Sequence, residues 1–459
     1  MPHSSNKSVY AKYILIGIIF ALASFLIVGL FMPHTVSNMR KIEGGEKSSG
    51  VEEKVLGTST EVIGPQMVHV TTPKAVKAVY ISSWVGGTKS LRDKIIAQIE
   101  ATEVNAVVLD IKDYTGMISY MPSDPALQGI GCIDERIKDI DTFIDELHDK
   151  NIYVIGRVAV FQDPCAVKAW PDQAVKRKTD GGIWKDRNGI SWMDAGSEKV
   201  WDYNVAIAKD AHSRGFDEIN FDYIRYPSDG NMIDISFPVS GTKNKQEVLE
   251  GFFAHLDISL RGGKAIGAIK NTQKTATNTA AYYPAKDPAF DELVSQYGLG
   301  ITASSARKAD ISLDGTRVQT TIENAPRIVT SADLFGMVTN NTDDLGIGQV
   351  LERAAPYVDF IGPMVYPSHY PKNFIGISNP AASPYQIISH AMKGGVAKLN
   401  AIELNPLKLR PWLQDFNLGA TYTADMVRKQ VQATYDVGLT SWMLWDASNT
   451  YTPGGTLSI

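Results

Sequence analysis

Hydrophobic positions along the chain fall into short runs of period two, separated by longer segments of helical spacing. The first run, residues 79–82, precedes a helical pattern with Leu91, Ile95 and Ile99 on one face. The second, 106–112, leads into Ile137, Ile140, Ile144 and Leu147, again at helical spacing. The third, 153–161, is followed by a long loop with Trp184 and Trp192 and then by a predicted helix over 197–213. A fourth run lies within 215–227, where Ile219 and Phe221 alternate with Glu218, Asn220 and Asp222 until Pro227 stops it. Val248, Leu249, Phe252, Phe253 and Leu256 mark the next helix, and runs at 328–333, 358–364, 410–416 and 441–446 bring the strands to eight. Eight strand–helix units predict an α/β chain folded as a (β/α)8 TIM barrel. An open doubly wound sheet would want a glycine-rich phosphate turn after an early strand, and none is present.

The fourth run organises the rest. Helical patterns on both sides put its apolar face under helices and its polar face toward the barrel interior. A carboxylate there is costly to bury unless it is paired or used, so Asp222 is expected at the carboxyl end of a central strand, where this fold keeps its chemistry. Between 261 and 326 the periodicity is lost and Thr, Asn, Ala and Gly dominate. So long a segment predicts an insertion between the fourth and fifth strands, with some structure of its own.

Residues 13–31 carry no charge and are long enough to span a bilayer as a helix. Lys7 and Lys12 precede them, which orients residues 1–12 to the cytoplasm and the remainder outside. A cleaved signal peptide is the rival reading, but no clear small-x-small site follows the run. Residues 32–74, rich in Gly, Ser, Glu and Lys, read as a flexible linker that lets a 75–459 domain stand off the membrane. The expected location is therefore the cell membrane, single-pass, with the domain extracytoplasmic, or secreted if the segment is cleaved. A formal net charge of −5 lacks the basic excess of a nucleic-acid binder. Cys132 and Cys165 could form one disulfide in such a compartment, with two unpaired thiols as the alternative.

Nearly every run ends in polar or aromatic groups. Alternation puts Asp110 with Lys112, Asn220 with Asp222, and Ser331 with Asp333 on shared faces, converging on one cleft if those faces point inward. Such a mixture suits a carbohydrate, whose hydroxyls want polar partners and whose ring faces stack on Trp or Tyr. Hydrolysis needs two carboxyls flanking the glycosidic bond, and Asp222 with Asp333 is the expected catalytic pair. Asp110 or Asp446 could replace either. Expected substrate contacts are Asp110, Lys112 and Arg157 from the second and third runs, and Arg225 and Tyr226 after the fourth. Tyr366, His369, Gln414, Trp442, Trp445 and Asp446 follow from the last three. Trp442 and Trp445 cannot both face inward. Arg225 beside a carboxylate would hold that carboxylate ionised, favouring nucleophile or base over acid.

Blander roles stand beside these. Asp222 could pair with Arg225 or Arg157 in a polar plug, Asp110 and Lys112 could be an interior ion pair, and His369 could sit on a surface loop. No Walker A sequence or His-Glu-x-x-His motif occurs, so no cofactor or metal is expected. Two other functions remain open: a non-catalytic glycan-binding barrel, and a metal-dependent deacetylase using Asp110, Asp113 and His369. The absence of a closely spaced His pair speaks against the second.

The stretch 215–227, which ends in Phe221-Asp222-Tyr223-Ile224-Arg225-Tyr226-Pro227, with residues 108–113, 156–164, 331–336, 346–349, 363–370, 410–416 and 442–451, resembles a bacterial glycosyl hydrolase family of extracytoplasmic TIM-barrel proteins. The resemblance spans about residues 75 to 453. It implies a glycosidase-type barrel acting on a polysaccharide or oligosaccharide and, more distantly, a likeness to α-amylase-like barrels. Those barrels hold a catalytic Asp at the end of the fourth strand, the place Asp222 occupies. The chain departs from the family in the size of the 261–326 insertion and in carrying Asp446 where Asn is expected.

Overall fold

Eight parallel strands close into a barrel in which each strand pairs with its sequence neighbour and the last returns to the first. They are β1 Lys77–Ile81, β2 Ala106–Lys112, β3 Tyr153–Ala159, β4 Glu218–Asp222, β5 Val329–Phe335, β6 Phe360–Met364, β7 Trp412–Gln414 and β8 Trp442–Trp445. The computed structural model describes residues 68–263 and 327–457. The expected membrane span at 13–31, most of the linker and most of the insertion lie outside the described residues. Among the described residues, no helix is long and apolar enough to cross a membrane.

β2, β3 and β4 are buried along their whole length, which is why their sequences carry apolar residues on both faces. The outward faces pack beneath helices α1 Lys89–Glu100, α2 Ile140–Asp149, α3 Glu198–Ser213, α4 Lys245–Arg261, α5 Pro384–Ala401 and α6 Ala424–Asp436. After β5 the strand–helix alternation is met only by short elements, a 3-10 turn, Gly336–Thr339, and a one-turn helix, Leu351–Ala354. In α1 the buried positions are Arg92, Ile95, Ile96 and Ile99, while Leu91 is 42% exposed. Arg92 takes the inward place because Asp139 pairs with its guanidinium at 2.6 Å, which lies 4.3 Å from the Phe143 ring.

The barrel interior has its own small cluster, which includes Ala78, Val108, Tyr153, Ile155, Trp412 and Met443. Beneath the mouth, Arg410 Nη1 donates to Glu218 Oε2 at 2.8 Å and the Tyr153 hydroxyl adds a second donor at 3.1 Å. Trp445 faces this interior and stacks on Tyr80 at 4.1 Å. Trp442, three residues earlier, points to the opposite face, as the two-residue pleat requires. It is fully buried and donates from Nε1 to the Tyr435 hydroxyl of α6 at 2.9 Å, so it packs under a helix and does not reach the cleft.

One irregularity overturns an expected pairing. Asp110 is in register with Arg157, but the next partners are Lys112 and Val158, so β2 carries one extra residue between them. Such a bulge re-aims the side chain that follows it. Lys112 consequently leaves the interior, donates to Asp163 at 2.7 Å and lies 4.8 Å from the Tyr203 ring of α3. Neither Lys112 nor Asp163 has any solvent-exposed side-chain surface, and burial pulls the Lys112 pKa below its ordinary value against the pull of Asp163. Lys112 is a structural ion pair, not a substrate contact. Nearby, Cys132 and Cys165 are joined at 2.11 Å and tie the loop after β2 to the one after β3.

Lys112→Met should leave Asp163 buried without its partner and lower stability to urea by about 3–5 kcal/mol; an unchanged midpoint would refute the assignment. Replacing both cysteines by alanine should lower stability by about 3–4 kcal/mol, because the bridge closes a chain segment of 33 residues. Urea titration without reductant measures that difference.

Candidate active site

Arg157, inward-facing on β3, is the hub of the barrel mouth. Its Nη1 donates to Asp110 Oδ1 at 2.7 Å, while Nη2 and Nε donate to Asp222 Oδ2 at 2.5 and 3.1 Å. The guanidinium thus joins β2 to β4 across β3. Tyr80 on β1 extends the chain, its hydroxyl donating to Asp110 Oδ2 at 2.5 Å. Burial opposes charge on Arg157, but Asp222 and Asp110 outweigh it and hold its pKa well above the ordinary value. Burial raises Asp110 above the usual carboxyl range despite Arg157 and Tyr80.

Asp222 closes β4, and its Oδ1 accepts the Tyr223 backbone N–H at 2.6 Å. Tyr223 adopts φ 56°, an uncommon conformation for a bulky side chain and one met more often at functional sites. Phe221 is in register with Ala332, which puts Asp222 beside Asp333 on the adjacent strand. Asp333 sits deeper, only 1% exposed against 5% for Asp222. Its Oδ1 accepts from Asn220 Nδ2 at 3.0 Å and from Trp412 Nε1 at 2.8 Å. Asn220 also donates to Ser331 at 3.0 Å, so the polar inward faces of β4 and β5 do meet as alternation predicts.

Gly362 on β6 leaves room for that carboxyl. A Cβ there would stand 2.4 Å from Asp333 Oδ1, so no other residue fits without displacing the acid. Burial first, and the Asp222 carboxylate second, push the Asp333 pKa well above its ordinary value; Asn220, Arg157 and Trp412 offset this only in part. Two neighbouring carboxyls in one poorly hydrated hollow therefore differ in kind: one is paired with a guanidinium, and the other favours its proton.

Tyr366, just past β6, belongs to the same hollow. Burial, then Asp333 and Asp222, raise its hydroxyl pKa well above the ordinary value. His369 sits on an exposed turn beside it, 5.3 Å edge-on from the Tyr366 ring. Trp445 lies 5.0 Å from the Arg157 guanidinium and lines the wall with Tyr80.

Several expected contacts are engaged elsewhere. Gln414 is fully buried, accepting from Ser368 N–H at 3.1 Å and donating to the Phe416 carbonyl at 2.9 Å, so it braces two loops. Tyr226 is 2% exposed and packs edge-on against Phe237 at 4.9 Å, away from the carboxyls, its hydroxyl pushed up to about 12 by burial. Asp446 accepts the Ser448 N–H and hydroxyl at 2.8 and 2.9 Å and so shapes the loop after β8. Arg225 makes no ion pair with Asp222; Arg157 has that role. Asp113, named with Asp110 and His369 for a metal site, pairs with Arg136 at 2.5 Å. Among the described residues, no group of three or more His, Cys, Asp or Glu could hold a metal ion.

Four site residues lay outside the expected set: Tyr80, Asn220, Tyr223 and Trp412. Tyr80 and Trp412 sit at inward positions of their strands, and period-two counting from Ala78 and Gln414 would have found them. Asn220 was on the right face but lacked a charge to single it out. Nothing in the sequence marks the left-handed turn at Tyr223.

No curated protein matches the chain. Among solved structures, it resembles a hypothetical protein from Ruminiclostridium thermocellum at 36% identity over 40% of this chain and 93% of that one, with a TM-score of 0.37. It also resembles the glycoside hydrolase domain of PgaB (BpsB) from Bordetella bronchiseptica, at 13% identity over 81% and 94% of the two chains and a TM-score of 0.47. The alpha-galactosidase of Thermus thermophilus gives 9% identity over 83% and 60%, with a TM-score of 0.43. Residues 78–270 and 315–451 match the family described as "Putative glycosyl hydrolase domain". That match covers well over half of the sequence and, unlike the structural likenesses, carries the assignment: the chain belongs to this glycosyl hydrolase family.

Proposed function

We propose that the protein hydrolyses glycosidic bonds in a cell-envelope or extracellular polysaccharide, with Asp333 as the acid and Asp222 as the nucleophile or base. The pairing of unlike carboxyls on β4 and β5 is the observation that carries this reading. Asp222 meets only donors, three N–H groups from Arg157 and Tyr223, so its oxygens are oriented to attack or to accept a proton. Asp333 has the raised pKa a general acid needs. Its Oδ1 is occupied, while Oδ2 accepts no hydrogen bond and is not among the sealed, unsatisfied oxygens. Oδ2 is then the atom that would pass a proton to the leaving-group oxygen as the bond to the anomeric carbon breaks. Tyr80, Trp445 and Tyr366 would border the sugar. In this reading residues 13–31 anchor the chain, 32–74 tether it and the 75–459 domain works outside the cytoplasm.

Asp222→Asn in the full chain should lower turnover of a cleaved glycan by roughly 10²–10⁴-fold while leaving binding within a few-fold, as calorimetry would show. A glycan that is bound but not cleaved even by the unaltered protein would instead favour a binding barrel. The raised Asp333 pKa also sets a pH dependence. Activity should persist above the ordinary carboxyl range and fall on the alkaline side as Asp333 loses its proton. The contribution of Asp333 to stability should be fully present below about pH 4, where it is protonated both folded and unfolded, and should be lost as pH rises toward the folded value. Asp333→Asn should remove that contribution, though not those of Asp110 and Asp415, together with most of the activity; a variant with an unchanged alkaline limb of activity would assign the acid role elsewhere.

A further inference from the structure

Arg225 stands at the mouth, three residues beyond Asp222, with Asp222, Asp229 and Asp186 near enough to act on its charge but not to pair with it. Among the described residues, no carboxylate lies within ion-pair distance of it. Three aromatic rings hold the guanidinium: Trp192 at 4.7 Å, Phe335 at 5.1 Å and Tyr223 at 5.8 Å. Tyr223 also lies 5.9 Å from the Arg157 guanidinium, so one ring separates Arg225 from the hub of the catalytic pair. Phe335 ends β5, two residues past Asp333, so Arg225 overlooks the strands that carry both acids.

The hydrogen bonds of Arg225 leave one edge unused. Nη1 donates to the Tyr226 carbonyl at 3.1 Å and to Ser228 Oγ at 3.3 Å. Nε and Nη2 have no acceptor among the described residues, and neither is among the buried, unsatisfied nitrogens. That edge presents two parallel N–H bonds, the geometry that meets a planar carboxylate in two places. A half-buried cation fixed by aromatic rings, with no directly paired carboxylate among the described residues, is only partly compensated by its more distant acids.

We propose that the Nε/Nη2 edge of Arg225 receives a carboxylate borne by a sugar unit next to the scissile bond, so that the substrate is an acidic glycan. This rests on the glycosidase reading and narrows it.

The test uses the full chain with oligogalacturonates, hyaluronan oligosaccharides and muramic-acid-containing glycan strands, each beside its carboxyl-reduced counterpart. Turnover is measured with the unaltered protein and binding with the Asp222→Asn variant. The acidic form should be favoured at least tenfold over its reduced counterpart for the glycan the site accepts. Arg225→Lys keeps the charge and the ring contacts but lacks the fork; it should cut that ratio several-fold with an unchanged melting temperature. Arg225→Met should bring the ratio close to one. Retention of the full ratio in both variants overturns the assignment. Cleavage of reduced glycans as fast as acidic ones overturns the acidic-substrate inference and leaves the glycosidase reading standing. Arg225-dependent binding of acidic strands without any cleavage does the reverse, and binding of none overturns both.

Discussion

A guanidinium taken out of water inside a barrel must be matched by carboxylates held in fixed places, and Arg157 imposes that demand on three strands at once. Asp110 and Asp222 answer it from β2 and β4, and Tyr80 completes the ring from β1. The arrangement tolerates little slippage. A one-residue register error in β2 or β4 would turn a carboxylate to the helical side and leave the cation unpaired. Lower in the barrel, Glu218 and Arg410 repeat the device across the interior, bonded at 2.8 Å. The polar interior therefore helps to specify the registers as well as to hold reactive groups.

Asp333 shows the opposite use of the same hollow. It receives two neutral donors but no cation at bonding distance, and it lies beside an occupied carboxylate. An apolar side chain of similar size would fold more comfortably there. The chain carries an acid there, with Gly362 opposite leaving room for it, an arrangement that the proposed acid role would account for.

Most of the barrel was legible because its cause is local. Parallel strands buried on both faces give apolar runs, and their spacing by helices gives the fold class; β2 begins and ends where its pattern does. The inward faces of β4 and β5 were legible for the same reason, since Asn220, Asp222, Ser331 and Asp333 obey strict alternation. The failures have non-local causes. Nothing in the sequence of β2 announces the extra residue that turns Lys112 outward. Leu91 yields its place to Arg92 because of an acid 47 residues further on. Asp446, Gln414 and Tyr226 look like contacts because they follow strands, yet loop geometry engages or buries each of them. Which arginine pairs with Asp222 depends on the sheet order, and no spacing along the chain reveals that.

The bulge in β2 has a further electrostatic result. With Lys112 turned outward, Asp110 and Asp222 share Arg157 as their hydrogen-bonded cationic partner, and Asp333 stands beside them with neutral donors alone. Asp110 and Asp222 thus face the Arg157 guanidinium, while that of Arg225 stands further out at the mouth, in a space that water screens poorly. Breaking a glycosidic bond passes through an oxocarbenium-like sugar whose ring gains positive charge. On the proposed reading, the Asp222 carboxyl, fixed by Arg157 and the Tyr223 N–H, is the group placed to meet that fleeting cation.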